Sequence, residues 1–471
     1  MTTNPKKIME HKISIKEKVG YGLGDAASSM FWKIFSMYLM FFYTDVFGLA
    51  PAVVGTMFLI TRIWDSCFDP LVGILADRTK SRWGKFRPYL LWTAIPFAII
   101  GIMTFYTPDF DEKGKIIYAY VTYSLMMMVY SIINVPYASL LGVMSGDRKE
   151  RTTLSSYRMV FAFAGSLLAL WLIEPLVNHF GGNLNSKTGW LYTIIVFGII
   201  TTIFFWSCFF LTKERVQPIN DEKPNLKEDL NDLLKNRPWW ILLGAGIGAL
   251  VFNSIRDGAA VYYFKYYVSS TVSYSFNILG ENFAMTPTTL YLVLGQAANI
   301  IGVIAATPIA NRIGKKKTFF GAMLLAAILS VFFYYIGKEN VVLIMLFQVM
   351  ISICAGCIFP LIWSMYADSA DYSEWKQGRR ATGLIFSASS MSQKFGWTIG
   401  GAATGWLLGY FGFQANVVQS ITTQNGILLM LSILPAIAAT ISLLFILFYP
   451  LSEEKLQTIE DELNEKRKLN K

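Results

Sequence analysis

The chain has 471 residues, of which 54% are hydrophobic, 15% aromatic and only 15% charged, and its mean hydropathy is +0.44. Soluble domains usually carry about 25% charged residues, so the composition excludes a soluble globular protein. The apolar residues form about twelve blocks, each close to the roughly 20 residues that cross a bilayer as a helix. We therefore predict an all-α polytopic membrane protein with twelve transmembrane helices. The net charge of +10 indicates membrane orientation, and we expect no nucleic-acid partner.

The basic residues predict how the chain is oriented. Most of the 41 Lys and Arg lie in the two tails and in five connections, whereas the alternate connections hold only Lys113, Lys115, Lys187 and Lys338. By the positive-inside rule we expect both termini in the cytoplasm, which requires an even number of spans. The protein is then a multi-pass protein of the cytoplasmic (inner) membrane, in contact with the lipid bilayer, and we predict no obligate protein partner.

A long polar stretch divides the chain into two halves. The predicted organisation is a cytoplasmic tail over 1–19, an N-terminal six-helix bundle over 20–212, a central cytoplasmic loop over 213–237, a C-terminal six-helix bundle over 238–450 and a cytoplasmic tail over 451–471. Similar basic loops follow the second span, at 73–86, and the eighth span, at 307–320. Two pseudo-symmetric six-helix bundles of this kind are typical of the major facilitator fold.

The second apolar block carries an unusual charged motif, TRIWDSCFDPLVG at 61–73. Arg62, Asp65 and Asp69 follow at i, i+3 and i+7, which places them on one helix face. A charge at the bilayer centre costs roughly 2.5–3.5 kcal/mol, so this face must meet a cavity or counter-ions. Two carboxylates one turn apart repel each other when both are ionised, so we expect the pair to bind a proton, or a Na⁺ in its place. The alternative is a charge cluster that only braces the bundle.

Six basic residues lie at membrane depth: Lys33, Arg62, Arg158, Arg256, Lys265 and Lys394. Lys33 and Lys265 either reach an aqueous interface or face a cavity. Arg256 adjoins Asp257, and a local ion pair accounts for it. Arg62, Arg158 and Lys394 are the stronger functional candidates.

Acidic residues mark the end of the tenth span. Asp368, Asp371 and Glu374 follow at three-residue intervals on one helix face. We predict a charge network that joins the two halves when the central cavity opens outward. The alternative is a solvated helix end. The predicted network comprises Arg62, Asp77, Arg148, Arg151, Asp368, Asp371, Glu374 and Arg380.

Five motifs resemble one transporter family: YGLGDAAS (21–28), RIWDSCFDP (62–70), TKSRWGKFRP (79–88), NVPYASL (134–140) and ADSADYSEW (367–375). Their order and spacing resemble those of the glycoside–pentoside–hexuronide:cation symporters, which include melibiose permease and a bacterial glucuronide transporter. The resemblance covers residues 16 to 450. It implies a secondary active transporter, not an enzyme, that moves a sugar or sugar acid by alternating access with H⁺ or Na⁺ and needs no other cofactor.

The resemblance also implies a cation site. In this family the two aspartates of the second-span motif bind the cation, which points to Asp65 and Asp69. Ser131 matches a hydroxyl ligand, and Asn134 replaces a span-four carboxylate. Phe68 stands where melibiose permease has an asparagine and offers no oxygen. A hard cation needs several oxygen ligands, whereas a proton needs one carboxylate, so we predict coupling to H⁺ with Na⁺ as the alternative.

The implied sugar site lies beside the cation site. Arg158 and Lys394 match the two basic sugar partners of melibiose permease, while Ser29 and Asn134 replace its two acids. A pocket that loses two negative charges and keeps two positive ones favours a hexuronide, since Arg suits bidentate carboxylate binding. Asp25 would restore one negative charge. The predicted substrate site comprises Arg158, Lys394, Asn134, Ser29, Tyr137 and Asp25.

Other functions remain open at this stage. A neutral pentoside or galactoside:Na⁺ symporter fits the same motifs, and so does a lysolipid-type transporter of related architecture. A sensor would need a signalling domain, for which the tails of roughly 20 residues are too small. An enzyme would need a convergent nucleophile or metal set, and the only two histidines are His11 and His179.

Overall fold

The computed structural model describes residues 13–145, 148–215, 233–268, 274–278, 281–377 and 382–469. The N-terminal bundle contains α1 (Ile15–Ile34), α2 (Pro51–Arg78), α3 (Arg87–Thr104), α4 (Glu112–Met144), α5 (Arg148–Gly181) and α6 (Lys187–Leu211). The C-terminal bundle contains α7 (Arg237–Tyr262), α8 (Pro287–Ile313), α9 (Lys315–Phe333), α10 (Val341–Gln377), α11 (Thr382–Tyr410), α12 (Ile421–Leu431) and α13 (Ile433–Leu447). A last helix, α14 (Glu453–Leu469), follows. π-helical turns extend α1 through Phe35–Leu39 and Phe42–Val46, and extend α7 through Tyr263–Val268.

Nine segments of the described chain are long and apolar enough to cross a membrane, with α12 and α13 together forming one of them. The other three helices of the bundles, α1, α2 and α11, fall short of that criterion. They carry the charged residues singled out above, Asp25 and Lys33 on α1, the aspartate motif on α2 and Lys394 on α11. Two bundles of six spans would follow if these three helices also cross the membrane, so the count of twelve stays a prediction.

One element departs from the all-α prediction. Between α7 and α8 the chain forms an antiparallel hairpin of β1 (Tyr274–Ile278) and β2 (Glu281–Met285), in which Tyr274 pairs with Met285. The strands are five residues each and lie outside the apolar blocks on which the sequence prediction relied.

Local signals set where the helices begin. Ser14 and Glu17 form a capping box at α1, in which each side chain bonds the other's backbone N–H. Asp111, Ser186 and Thr286 cap α4, α6 and α8 by accepting a backbone N–H three residues on.

The connections between successive helices lie alternately at two opposite ends of the molecule. We call the end with the start of α1, the loop 79–86 and α14 the basic face, and the end with the loops 47–50, 105–111 and 411–420 the opposite face.

The two bundles repeat one capping device at the basic face. Glu214, just after α6, accepts the backbone N–H groups of Lys85, Phe86 and Arg87 at 2.9, 2.8 and 2.9 Å, where α3 begins. Glu453, after α13, accepts the N–H of Lys315 at 2.7 Å, where α9 begins. A carboxylate suits the positive end of a helix dipole. This equivalence agrees with the repeat predicted from the two basic loops.

Each device depends on a glycine with positive φ, Gly84 at 108° and Gly314 at 90°. A Cβ on either glycine would crowd the capping carboxylate side chain, Glu214 or Glu453. The motif 79–88 therefore shapes a turn around an acid from a distant part of the chain.

Candidate functional site

Three of the four predicted cation-site residues, Asp65, Asp69 and Ser131, lie together near the middle of α2 and α4. Asp65 is buried, with 1% of its surface exposed, and accepts a hydrogen bond from the Ser131 hydroxyl at 2.7 Å. The Arg62 guanidinium lies 3.8 Å from the Asp65 carboxylate. Asp69 follows one turn later on the same helix face, with 27% of its side chain exposed.

A lysine from the other bundle joins the two aspartates. The Lys394 ammonium lies 3.3 Å from Asp65 and also donates to Asp69. Sequence reasoning assigned Lys394 to the sugar site, whereas here it occupies the space that a coupling cation would need between the carboxylates. Asp69 Oδ1 remains buried without a hydrogen-bond partner in the described chain. The two acids and the two bases Arg62 and Lys394 have no net charge.

A second ion pair lies within the N-terminal bundle. Arg158 on α5 donates through Nε to Asp25 on α1 at 2.7 Å, and 31% of its side chain is exposed. The guanidinium lies 5.3 Å from the centre of the Tyr137 ring. Tyr137 stacks on Tyr21 with ring centres 4.9 Å apart and donates to the Tyr21 carbonyl at 2.7 Å. Three of the predicted substrate residues, Arg158, Asp25 and Tyr137, thus form one cluster.

Asn134 lies between these groups but bonds neither aspartate of α2 within the described residues. Its Oδ1 accepts from Ser28 at 2.7 Å, and its Nδ2 donates to the Tyr130 carbonyl at 3.1 Å. Ser29 is half-buried beside Ser28 on α1. The structure therefore places Asn134 nearer to the predicted sugar contacts of α1 than to the cation pair.

An aromatic platform links the two clusters. The Arg62 guanidinium lies 4.3 Å from the centre of the Trp32 ring, and Trp32 packs against Tyr130 with ring centres 5.6 Å apart. Trp32 and Arg62 line a cavity of about 50 Å³ between the bundles, which Ser254 and Thr398 line from the other side. Sequence reasoning missed Trp32. It lies seven residues after Asp25, on the same helix face, and that spacing was the available signal.

The predicted gating residues divide into four groups. Asp368 on α10 pairs with Lys315 on α9 at 2.8 Å, inside the C-terminal bundle. Asp371 and Glu374 follow on α10, and Arg151 lies in the first turn of α5, all partly buried. The side chains of Asp77 and Arg148, and residue Arg380, lie outside the described residues. A network that joins the bundles at the basic face stays a prediction, and Arg62 lies far from it, beside Asp65.

Described residues of the two bundles are joined at the opposite face. The Lys265 ammonium, from the end of α7, lies 2.6 Å from the Asp45 carboxylate, whose side chain is fully buried. Lys265 also donates to the side-chain oxygens of Asn185 at 2.7 Å and Asn416 at 2.9 Å. Asn416 donates to the Asp45 carbonyl at 2.6 Å, and Tyr266 donates to the Asp45 carboxylate. We call Asp45, Asn185, Lys265, Tyr266 and Asn416 the opposite-face cluster.

Deeper in the membrane, a further ion pair crosses between the bundles. Lys33 on α1 lies 3.4 Å from Asp257 on α7. The expected local pair of Arg256 with Asp257 is replaced, because Arg256 donates to Tyr291, Gln348 and the Leu431 carbonyl. These contacts join the bundles on the side of the site that lies toward the opposite face.

Two solved transporter structures share this fold. A bacterial homologue of the human lysosomal transporter Spinster superposes with a TM-score of 0.69 over 93% of this chain and 98% of its own, at 12% identity. The nucleoside transporter NupG superposes with a TM-score of 0.62 over 93% of this chain and 100% of its own, at 12% identity. The chain thus shares the fold of these two proteins.

Sequence comparison gives the family. The model of the MFS/sugar transport protein family matches residues 20–453. The inner membrane symporter YicJ of Escherichia coli is 36% identical over 96% of this chain and 95% of its own length, and the isoprimeverose transporter of Lactiplantibacillus pentosus is 36% identical over 98% and 94%. A glucuronide carrier protein homolog of E. coli is 29% identical over 98% of both chains.

The chain belongs to the MFS/sugar transport protein family. It is a multi-pass transporter of the inner membrane and not an enzyme, and sugar:cation symport is the activity that its family and relatives support. The resemblance stated from the motifs is confirmed.

Proposed function

We propose that this protein imports a glycoside together with a proton, and that Asp65, Asp69 and Lys394 couple the two movements. The observation that carries the proposal is the Lys394 ammonium between the two carboxylates, reaching them from the opposite bundle. With no coupling cation bound, Lys394 neutralises the pair. When a cation binds Asp69, Lys394 loses that partner and turns to a sugar hydroxyl.

This exchange gives the coupling a physical basis. A free ammonium at membrane depth is costly unless it finds another partner, so cation binding favours sugar binding. Thermodynamic linkage requires that bound sugar raises the affinity for the cation by the same factor. Lys394 lies on α11 and the aspartates lie on α2, so the exchange also alters a contact between the two bundles. This supports the proposal that cation binding controls the relative movement of the bundles.

The ligands at the pair favour H⁺ as the coupling ion. Asp65, Asp69 and Ser131 supply the nearby oxygens, while Phe68 supplies none. Asn134, the remaining predicted cation ligand, is bonded to Ser28 and the Tyr130 carbonyl. A proton needs only the unpartnered Asp69 Oδ1, whereas Na⁺ would need further oxygens at short distance. Na⁺ is the second candidate.

The charge balance favours a neutral glycoside, against the sequence-based preference for a hexuronide. Arg158, the predicted partner of a sugar carboxylate, is already neutralised by Asp25 at 2.7 Å. We propose that Arg158, Asp25 and Asn134 bind sugar hydroxyls and that Trp32 stacks on the sugar ring. The match to an isoprimeverose transporter supports this reading.

Orientation follows from the basic loops. We infer that the basic face is cytoplasmic, by the positive-inside rule. The conformation described here, joined at the opposite face, is then the inward-facing one. Rocking of the bundles would separate the opposite-face cluster and close the basic face.

Uptake into proteoliposomes tests the proposal. Radiolabelled xyloside, galactoside and glucuronide are each offered under an inward H⁺ gradient and, separately, an inward Na⁺ gradient. We expect a neutral glycoside to accumulate with the H⁺ gradient. Accumulation that needs Na⁺ and ignores the pH gradient would contradict H⁺ coupling, and accumulation of glucuronide alone would contradict the neutral substrate.

A further inference from the structure

A second polar cavity lies in the C-terminal bundle, between α7, α8 and α10. Four amide side chains line it: Asn253, Gln296, Asn299 and Gln348. The N-terminal bundle contributes only Lys33 and Met37, both on α1, and Lys33 seals the cavity through its ion pair with Asp257. None of these amides belongs to the site described above.

One of these amides has a buried oxygen without a partner. Asn299 Oδ1 accepts no hydrogen bond within the described residues, and Gln296, 7% exposed, lines the same cavity. Buried polar groups in proteins are nearly always hydrogen-bonded, and polar groups at membrane depth commonly mark substrate pathways. The Asn299 oxygen is therefore open to a hydrogen bond from a group that enters the cavity.

A third amide is held in a defined orientation. Arg256 donates to Gln348 at 2.8 Å, and since a guanidinium only donates, the accepting atom is Gln348 Oε1. Gln348 Nε2 therefore remains as a donor and lies against Gly295, where a Cβ would collide with it. The cavity thus offers a fixed donor, the free acceptor Asn299 Oδ1 and the Asp257 carboxylate. This mixture suits sugar hydroxyls, each of which both donates and accepts.

The cavity is small in this conformation because α1 covers it. Its free space is about 20 Å³, which is room for one or two water molecules. Its remaining walls belong to the C-terminal bundle, so separation of the bundles at the opposite face would remove the cover formed by Lys33 and Met37. Lys33 lies eight residues after Asp25 on α1, which is about 12 Å along the helix. A glycoside that reaches both places is longer than one ring.

We propose that this cavity is a subsite for the second ring of a two-ring glycoside, reached when the Lys33–Asp257 pair opens. The first ring binds near Asp25 and Arg158. The inference rests on the proposed sugar transport and adds the size of the substrate. A disaccharide entering from the opposite face would meet these amides before the inner site.

The test compares one-ring and two-ring substrates in the same proteoliposomes. Methyl xyloside and methyl glucoside are the one-ring probes, and isoprimeverose and cellobiose are the two-ring probes. For Gln296→Leu and Asn299→Leu we expect the KM of a transported two-ring probe to rise about tenfold, as for the loss of one hydrogen bond. The KM of a one-ring probe should stay within about twofold, which also shows that the variant is folded. Gln424→Leu, at the opposite-face end of α12, is the matched control and should change neither value.

The outcomes separate the two proposals. Equal KM changes for one-ring and two-ring probes, or no change for either, would overturn the subsite, and so would a native protein that transports only one-ring compounds. Absence of gradient-driven uptake of any sugar by the native protein would overturn the proposed function as well.

Discussion

Removal of one charge from the opposite-face cluster should shift the protein toward its outward-facing conformation. The perturbation is Asp45→Asn, which keeps the shape of the side chain and removes the charge that faces Lys265. In the native protein this carboxylate is fully buried and accepts from Lys265 at 2.6 Å and from Thr44 at 2.7 Å. The contact between Asp45 and Lys265 exists only while the bundles are closed at this face, so its loss destabilises one conformation selectively.

The free-energy cost of Asp45→Asn depends on the partners that Lys265 keeps in the variant. Loss of one partner from a fully buried ion pair costs about 3–5 kcal/mol. Lys265 keeps 22% of its side chain exposed and keeps two amide acceptors, Asn185 and Asn416. We therefore expect a smaller cost of about 1–2 kcal/mol, which corresponds to a shift of roughly 5–30-fold toward the outward-facing state.

Thiol labelling from the opposite face measures the shift. A single cysteine, Ser36→Cys, is placed in the cavity between the bundles in a background without the four native cysteines. Asp45→Asn should raise the labelling rate about tenfold. Asp109→Asn, an exposed acid on the same face, is the control and should leave the rate unchanged. An unchanged or lower rate in Asp45→Asn would show that the cluster does not hold this face closed.

Three further predictions test other parts of the account. Glu214→Gln should lower the free energy of unfolding in detergent by about 1–2 kcal/mol, because the start of α3 loses its anionic cap. The thermal midpoint measures this loss. A midpoint equal to that of the exposed control Glu339→Gln would refute the prediction. Ser131→Ala removes the hydroxyl that donates to Asp65, so gradient-driven uptake should fall about tenfold. Uptake at the native level would remove Ser131 from the cation site. Trp32→Leu should raise the KM for sugar about tenfold, because stacking on the sugar ring is lost. The control is Trp363→Leu, whose native ring packs against Tyr366 on α10, and it should have less effect. Equal effects of the two substitutions would contradict sugar stacking on Trp32.

Helical periodicity and charge rules could predict the spans, the two bundles and the aspartate motif, because these are local properties of the sequence. The pairing of ions could not be predicted, because it depends on how distant helices pack. Arg256 illustrates this: its neighbour Asp257 was the obvious partner in sequence, but Asp257 pairs with Lys33, which lies in the other bundle.

The same limit applies to Lys394 and Lys265. Their depth in the sequence predicted charges within the membrane, but only the packing of α11 on α2, and of α7 against the end of α1, shows which carboxylate each lysine meets. Asp45, the partner of Lys265, was not predicted from the sequence. The loop 79–86 is a further case. Its basic residues were visible in the sequence, whereas its binding of Glu214 depends on a residue more than a hundred positions away.

The most direct test of the account is whether Asp69 couples sugar movement to the cation. Proteoliposomes with native protein or Asp69→Asn are assayed for H⁺-driven accumulation of the transported glycoside and, in parallel, for exchange of labelled against unlabelled sugar without a gradient. The account predicts that Asp69→Asn loses accumulation and keeps exchange, since its sugar site and bundle movement remain intact. Gradient-driven accumulation at the native level in Asp69→Asn would contradict a coupling role for the aspartate pair.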